Sequence, residues 1–359
     1  MNIVHLVFSF NNGGIENLLV DIMNNYSDEN NVTLCIINDD INEMLLNKIN
    51  ITKHKKVVCL KRTVGGKKID SIIDLHKIVR QGDVDIIHCH SNNAFKFFLP
   101  IKLINNKIKI FMTIHDTIIY SNISKIDCYL HKIFIKKLFA ISNSVLKGIV
   151  VKNINSNKVQ VIYNGIDERK FLEKTNIDNK KKEIICVARL VLPIKGQDIL
   201  LRAIKELSLQ REDFICKLVG GTPVEKNNYL EKVKDLIKEL DIQKYVDLVG
   251  DCNNIPEELS KADVFVLPSR HEGFGIALIE AMLSKTIVIA SDVEGPKEII
   301  QENKYGYLFA SEDYNKLAEI LNKVLDSDNK EVINRAYVYA KEEFTINNMI
   351  NKMNQAYVK

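Results

Sequence analysis

Two glutamates, Glu272 and Glu280, flank a glycine-containing turn in the second half of the chain. A pair of glycosidase carboxylates must lie roughly 5–9.5 Å apart, whereas eight residues of helix would rise about 12 Å. We therefore interpret the two as separate hydrogen-bond acceptors, one for sugar hydroxyls near a reacting carbon and one for a ribose diol. The alternative is that each glutamate is a surface residue in an ion pair.

The elements that would position these acids are a buried strand and a helix. Residues 264–267 form a continuous apolar run that a proline ends, and residues 276–283 carry apolar side chains at helical spacing. Ligands of open α/β sheets bind where strands end and helices begin. The N–H groups of Gly273, Phe274, Gly275 and Ile276 are therefore predicted to hold a phosphate at the helix N-terminus.

Two cations, Arg189 and Lys195, lie six residues apart across a proline-containing turn between another strand and helix. Fixed positive charge at this position suits a diphosphate, because it stabilises the negative charge that develops as a glycosidic bond breaks. The alternative is that both are ordinary surface cations.

The run Glu272-Gly273-Phe274-Gly275, with Glu280 eight residues after the first acid, resembles the signature of the retaining nucleotide-sugar glycosyltransferases of family 4. Arg189 and Lys195 before Gly196 also match that family. The resemblance covers nearly the whole chain. It implies the α/β GT-B fold, in which two Rossmann-like, doubly wound domains face each other across a cleft and a C-terminal helix crosses back to the first domain.

The resemblance also implies the roles of residues in the first half. Gly13 and Gly14 would line the donor's diphosphate side, and His115 would lie near the donor sugar and β-phosphate. Ser142 would face the cleft, and Asn164 precedes a glycine at the crossover between domains. A plain tight turn and a structural histidine remain the alternatives for the glycines and for His115. Two departures from the family pattern, at residues 220–222 and at Glu294, leave local donor contacts open.

The length of 359 residues and the alternation of strands with helices predict two domains with parallel sheets. We place them at residues 1–168 and 169–344, with 345–359 packing back on the first. The first residues read as a strand and not as a signal peptide. Asn17 stands where the dinucleotide fingerprint needs its third glycine, which disfavours a dehydrogenase.

The charge distribution is uneven, because residues 1–165 carry 21 Lys and Arg against 13 Asp and Glu. A basic half suggests an anionic partner, which could be a membrane surface, a phosphorylated acceptor or nucleic acid. Residues 124–137 mix apolar and basic positions at helical intervals, and would lie either on an anionic membrane or against a sheet. Nucleic-acid binding is disfavoured, since no aromatic stacking patch or known module is present.

Histidine and cysteine provide no strong metal motif. His88 and His90 alternate on one predicted strand and point to the same face, but a third zinc ligand is not evident. The seven cysteines form no Cys-x-x-Cys pair and lie mostly in apolar runs, as in a reduced cytoplasmic protein.

The sequence thus predicts a retaining hexosyltransferase that uses a nucleotide diphosphate sugar, with UDP favoured, and needs neither metal nor cofactor. The expected catalytic residues are Glu272, Lys195, Arg189 and His115. The acceptor would be a glycan or lipid-linked saccharide of a bacterial surface polysaccharide, and the enzyme would be cytoplasmic or peripheral on the inner membrane face. A GT-B nucleotide-sugar epimerase and a non-catalytic scaffold that binds nucleotide sugars are the alternatives.

Overall fold

The chain forms two compact units, one of Met1–Gly165 with Ile346–Lys359, and one of Ile166–Thr345. The computed structural model describes residues 1–11, 13–66, 69–116, 120, 122–171, 181–222, 228–252 and 254–358. Each unit is built on one parallel sheet, as the alternation of strands and helices predicts.

The sheet of the first unit has seven strands in the order β3-β2-β1-β4-β5-β6-β7. The strands are β1 Asn2–Val7, β2 Asn31–Asn38, β3 Lys55–Arg62, β4 Ile86–Cys89, β5 Lys109–Ile114, β6 Ile135–Ala140 and β7 Val159–Val161. The helices described between them are α1 Gly14–Asn25, α2 Glu43–Leu46, α3 Ile69–Gln81, α4 Asn92–Ile104, α5 Lys125–Phe134 and α6 Asn143–Val150. A short 3₁₀ turn, Ser156–Lys158, precedes β7.

The sheet of the second unit has six strands in the order β10-β9-β8-β11-β12-β13. They are β8 Lys182–Val187, β9 Phe214–Val219, β10 Val246–Gly250, β11 Val264–Leu267, β12 Ile287–Ser291 and β13 Tyr307–Phe309. The helices are α7 Leu192–Lys195, α8 Gln197–Ser208, α9 Tyr229–Glu239, α10 Ile255–Lys261, α11 Ile276–Leu283, α12 Glu294–Ile300, α13 Tyr314–Asp326 and α14 Lys330–Glu343. Two 3₁₀ turns are Glu168–Lys170 and Gln243–Tyr245.

Both sheets reverse their strand order in the middle, β1 beside β4 in the first unit and β8 beside β11 in the second. Such a reversal opens a crevice at the carboxyl ends of the strands, because the flanking helices leave in opposite directions. The predicted site residues follow these carboxyl ends in both units.

The last helix, α15 Ile346–Val358, belongs to the first unit, as the GT-B resemblance implies. Its buried face, which includes Met349, Met353 and Tyr357, joins the same apolar cluster as β1 and α1. The chain enters and leaves the second unit at neighbouring points, since Ile166 pairs with Thr345 and its N–H donates to Phe344 O at 2.8 Å. Within the described residues, no helix is long and apolar enough to span a bilayer.

Two local features of the structure differ from what the sequence predicts. The helical pattern read over 124–137 ends at Phe134, and residues 135–137 begin β6, because Ile135 pairs with Ile110 of β5. The short edge strand β13 was not predicted, since its three residues are too few to show a period. The polar, Lys- and Asn-rich run at residues 173–182, which the sequence indicates to be an exposed connection between the units, lies mostly outside the described residues.

Candidate functional site

In the second unit, the predicted donor turn joins β11 to α11 with the bounds that the sequence indicates. Gly275 is the N-cap of α11 at φ +105°, a left-handed conformation that favours glycine. No side chain among the described residues caps this helix. Phe274 is buried and packs edge-on against Phe344, with ring centroids 5.7 Å apart. The contact with Phe344 therefore holds the turn in place, while the N–H groups at the N-terminus of α11 remain available to an anion.

The structure brings Lys195 and Glu272 together, with Lys195 Nζ 2.8 Å from Glu272 Oε2. Both side chains are largely buried, at 22% and 15% exposure. Ser269, which is fully buried, donates from Oγ to the same carboxylate oxygen at 3.3 Å. The predicted phosphate-binding cation, Lys195, and the predicted sugar-binding acid, Glu272, thus form an ion pair at the carboxyl end of β11.

The two loops that carry this pair are hydrogen-bonded to each other. Ile194 O accepts from the N–H groups of Arg270 and His271, at 2.8 and 3.2 Å. Gly196 has φ +65°, and a Cβ there would lie 2.0 Å from Pro268 O. Glycine is therefore required at position 196, and its close approach brings the loop of Lys195 onto the end of β11.

Arg270 reinforces this junction. Its guanidinium donates to both carboxylate oxygens of Asp198, at 2.8 and 2.7 Å, and to Leu192 O at 2.7 Å. It also pairs with Glu312, and these hydrogen bonds raise the pKa of the guanidinium. Sequence reasoning missed this role, because Asp198 lies 72 residues away along the chain.

The other two predicted residues of this unit lie at the same sheet edge. Arg189 is exposed, and its side chain has no hydrogen bond or ion pair with the described residues. Its carbonyl accepts from Gln197 Nε2 at 2.8 Å, which holds the loop after β8 in place. Glu280 is half-buried on the second turn of α11. An unpaired Arg189 and an open helix N-terminus are groups that can neutralise a diphosphate.

Gly295, in α12, supports the donor turn from the neighbouring loop. Its N–H donates to Glu272 O at 3.2 Å, and a Cβ would lie 2.7 Å from both Glu272 O and Phe274 O. Sequence reasoning singled out the departure at Glu294 but not this glycine. The only local signal was the glycine-proline pair at 295–296, which by itself indicates a turn and not a close backbone approach.

In the first unit, Gly13 is the N-cap of α1 and Gly14 its first residue. Gly13 has an extended backbone, and a Cβ there would lie 2.3 Å from Glu16 Oε2. The missing side chain thus makes room for the carboxylate of Glu16. An anion bound at Gly13 would therefore be repelled by the carboxylate of Glu16.

Four histidines lie side by side at the β1–β4 reversal and the end of β5. The N–N distances are 3.0 Å from His5 Nδ1 to His90 Nε2 and 3.3 Å from His90 Nδ1 to His115 Nε2. His88 bonds instead to Tyr357 Oη at 2.5 Å and to Thr113 Oγ1 at 2.7 Å. Burial lowers the pKa of His5 to about 3 and that of His115 to about 4, so both rings are neutral at pH 7.

The structure supplies the third ring that the sequence did not reveal, since potential ligand atoms of His5, His88 and His90 lie within 4.8 Å of one another. Imidazole binds a metal through a lone pair in the ring plane, at about 2.0–2.1 Å for zinc. The rings of His88 and His90 are stacked, with centroids 4.5 Å apart and planes at 22°. The in-plane lone pairs of stacked rings run side by side and do not converge on one point where an ion could bind. Both nitrogens of His88 are also already hydrogen-bonded. The cluster fits a hydrogen-bond network better than a metal site.

Ser142 and Asn164 have different local roles. Ser142 is fully buried and caps α6, with its Oγ accepting from Val145 N at 3.3 Å. Asn164 is buried, and its Oδ1 has no hydrogen-bond partner among the described residues. Buried carbonyl oxygens are usually paired, so Asn164 is the better candidate of the two for a ligand contact.

Two family models match adjoining parts of the chain, which overlap at residues 167–170. "Glycosyltransferase Family 4" matches residues 12–170, and "Glycosyl transferases group 1" matches residues 167–342. Together they span both units.

The chain is also similar to relatives that cover most of its length and, in fold, to a solved structure. The chain is 26% identical to an uncharacterized 41.2 kDa protein in the cps region of Klebsiella pneumoniae, with 99% of each chain covered. It is 25% identical to the capsular polysaccharide biosynthesis glycosyltransferase CapH of Staphylococcus aureus, over 84% of each. The crystal structure of Anabaena Alr3699/HepE in complex with UDP and glucose superimposes with a TM-score of 0.84 at 20% identity, covering 100% of both chains.

Proposed function

Because the chain belongs to the family 4 glycosyltransferases, which have the GT-B fold, we propose that it transfers a hexosyl unit from a UDP-sugar. The proposed acceptor is a glycan or lipid-linked saccharide of a bacterial surface polysaccharide, and the proposed outcome is retention at the anomeric carbon. The capsule-related relatives in Klebsiella and Staphylococcus support the pathway class. The UDP and glucose bound to Alr3699/HepE support the choice of donor.

The observation that carries this proposal is the Lys195–Glu272 pair beside the open N-terminus of α11. An ammonium group has three N–H donors. Lys195 can therefore hold Glu272 with one donor and offer the others to a phosphate oxygen. The carboxylate of Glu272 keeps lone pairs that can accept hydrogen bonds from sugar hydroxyls.

We propose that Arg189, Lys195 and the backbone N–H groups of residues 274–276 stabilise the negative charge of the departing diphosphate. The bond between the anomeric carbon and the phosphate oxygen breaks, and the acceptor oxygen bonds to the same face of that carbon. The acceptor's proton passes to the departing phosphate oxygen, so no side-chain base is required. Fixed cations at the leaving group supply the stabilisation, and we accordingly propose catalysis without a metal.

His115 and Glu280 complete the proposed donor contacts. With its pKa lowered by burial, His115 is neutral at pH 7, so it would contact the donor sugar through a hydrogen bond and not through charge. The carboxylate of Glu280 would accept hydrogen bonds from the two ribose hydroxyls, which is the common way in which an acidic residue holds a ribose.

We also propose that α5 lies on an anionic lipid surface. Ile126, Tyr129 and Ile133 form one face of this helix and are 72%, 63% and 51% exposed. Lys125 and Lys132 lie beside that face on the same helix, and Lys136 follows in β6. An apolar stripe bordered by cations is the pattern of an interfacial helix, and it matches the anionic headgroups in charge.

The experiment is a thermal-shift panel of UDP, GDP, ADP and their sugar conjugates, followed by product analysis with saccharide acceptors. A ligand that binds only the folded state raises the melting temperature by mass action. We expect a shift with UDP that Glu280→Ala abolishes and that Glu319→Ala, an exposed control on α13, retains. A new α- or β-glycoside of the donor's own configuration supports the proposal, whereas free epimer or no turnover rejects it.

A further inference from the structure

Three buried imidazoles form a continuous hydrogen-bonded chain that ends at His115. His5 lies on β1, His90 follows β4, and His115 follows β5, so the chain crosses the middle of the first sheet. Its two links are 3.0 Å, from His5 Nδ1 to His90 Nε2, and 3.3 Å, from His90 Nδ1 to His115 Nε2.

The chain has a buried polar nitrogen at each end. His5 Nε2 and His115 Nδ1 are both buried, and neither has a hydrogen-bond partner among the described residues. The two ends differ in their surroundings. His5 is completely buried inside the sheet, whereas His115 is a partly exposed residue of the loop at the sheet edge, although its Nδ1 atom is buried.

Each ring is neutral, because burial lowers the pKa of all three. Each therefore carries one proton, and both links can form in only two ways. In the first, every ring is protonated at Nδ1, so that each link is donated towards His115 and His115 Nδ1–H is left as a free donor. In the second, every ring is protonated at Nε2, and the free donor is His5 Nε2–H.

The first arrangement is favoured by the position of the unpaired N–H. A buried N–H without an acceptor loses its hydrogen bond to water and gains none in return, and such groups are rare in proteins. At His5 no ligand could reach it. His115 Nδ1 is also buried, but it lies in a loop at the carboxyl edge of the sheet, where ligands bind in this class of fold, so a side-chain or loop movement of the bound state can expose it.

We propose that His90 and His5 are positioning residues, which hold His115 as its Nδ1–H tautomer so that it presents a fixed hydrogen-bond donor to an oxygen of the bound sugar. This inference rests on the proposed function for the identity of the ligand. The chain does not conduct protons, because a proton that left His115 could be replaced only through His5 Nε2, which has no partner among the described residues.

Nitrogen-15 NMR of the histidine-labelled protein tests the tautomer without any substrate, because protonated and bare ring nitrogens of a neutral imidazole have well-separated shifts. We expect His5, His90 and His115 to be protonated at Nδ1 between pH 6 and 8. A His115 protonated at Nε2 overturns the inference, even if sugar transfer is demonstrated. The nitrogen-15 spectrum decides the tautomer of His115 equally well if the protein transfers no sugar at all.

His90→Phe tests the coupling, since it keeps an aromatic ring and removes both links. We expect His115 to shift towards the Nε2–H tautomer, and kcat to fall at least roughly tenfold, the scale of one hydrogen bond. His131→Phe is the matched control, because His131 is also buried in this unit and bonds to Tyr120 Oη at 2.6 Å and Asn92 Oδ1 at 2.8 Å. It should leave the ring shifts of His115 unchanged.

Two further results would overturn the inference. One is a His90→Phe protein that folds but shows the wild-type ring shifts at His115. The other is stoichiometric binding of Zn²⁺ by the wild type with perturbed shifts of His5, His88 and His90, since this would make the cluster a metal site. If His90→Phe does not fold, the wild-type spectrum alone decides the question.

Discussion

Lys195, the last residue of α7, and Glu272, on the loop after β11, form an ion pair of 2.8 Å across 77 residues of sequence. The pair joins the group that would neutralise phosphate to the group that would bind the sugar. A change at either residue therefore alters the position of the other.

Lys195→Ala should reduce turnover by at least about 10²-fold, the effect of removing one preorganised charge donor at a reacting centre. Steady-state kinetics with the identified donor measure this. Lys316→Ala removes an exposed lysine that also forms an ion pair, with Glu319 at 2.6 Å, and should have little effect. Turnover close to wild type in Lys195→Ala would show that this cation is not at the leaving group.

Arg270→Lys should reduce both activity and stability. Lysine keeps the charge but cannot hold Asp198 with two parallel hydrogen bonds, so the loops of Lys195 and Glu272 would separate. We expect unfolding free energy to fall by about 1–2 kcal/mol, as for a partly exposed network, and kcat/KM to fall at least about tenfold.

Arg211→Lys provides the matched control for Arg270. Arg211 also holds an aspartate, Asp213, with two bonds and contacts a second acid, Asp326, but it lies at the opposite ends of the strands. Chemical denaturation should show a similar loss of stability, while kcat/KM stays unchanged. Equal losses of activity in the two variants would reject a positioning role for Arg270.

Gly295→Ala should displace the donor turn, because the new Cβ would lie 2.7 Å from Glu272 O and Phe274 O. Overpacking of this kind costs about 1–3 kcal/mol, and donor affinity should fall with it. Gly65→Ala serves as the comparison, since Gly65 has φ +80° but nothing within 4 Å of its Cβ position. It should cost about 1 kcal/mol through backbone strain and leave donor binding intact, as measured by calorimetry.

The buried histidines should make the protein unstable in mild acid. Their folded-state pKa values lie well below the unfolded value of about 6.5, at about 3 for His5 and about 4 for His115. The unfolded chain therefore binds more protons below pH 6.5, and stability is complete above that pH and is lost as the pH falls towards 4.

Each such histidine contributes about 1.4 kcal/mol per pH unit within this window. Urea unfolding between pH 6.5 and 5 measures the slope, since carboxylates contribute little there. His5→Asn should reduce the slope by about one proton, and a matched change at the exposed His271 serves as the control. A slope that His5→Asn leaves unchanged would contradict the assignment of neutral buried rings.

Replacing Ile126, Tyr129 and Ile133 together by serine should abolish binding to vesicles that contain phosphatidylglycerol. The three side chains are exposed, so folding should be little affected. Co-sedimentation is the measurement, and salt should weaken wild-type binding because the lysines contribute through screened charge. Val338→Ser, at an equally exposed position of the second unit, is the control. Equal sedimentation of wild type and the triple variant would reject the lipid-binding face.

The sequence predicts the elements of the second unit well where a single segment contains the whole signal. The bounds of β11 and α11 agree with the apolar run at 264–267 and the helical spacing at 276–283, because both patterns are local. The family resemblance, carried by the acids and cations next to these elements, agrees with the two family models.

Contacts between distant segments could not be predicted in the same way. His5 meets His90 because β1 pairs with β4, with His5 opposite His88, and only the register of two strands 85 residues apart determines this. The Arg270–Asp198 and Gly295–Glu272 contacts also depend on how separate loops approach. A sequence read alone gives residue types and local spacing, but not the register of parallel strands.

The position of α15 has a consequence for biosynthesis. Residues 346–358 complete the apolar core of the first unit, and Tyr357 supplies the hydroxyl that holds His88. Chains emerge from the ribosome N-terminus first. The part of the first unit's core that α15 covers therefore stays exposed while the whole second unit is translated. The unit that is made first is thus the last to be finished, and its apolar surface during that interval is a site for chaperones to protect.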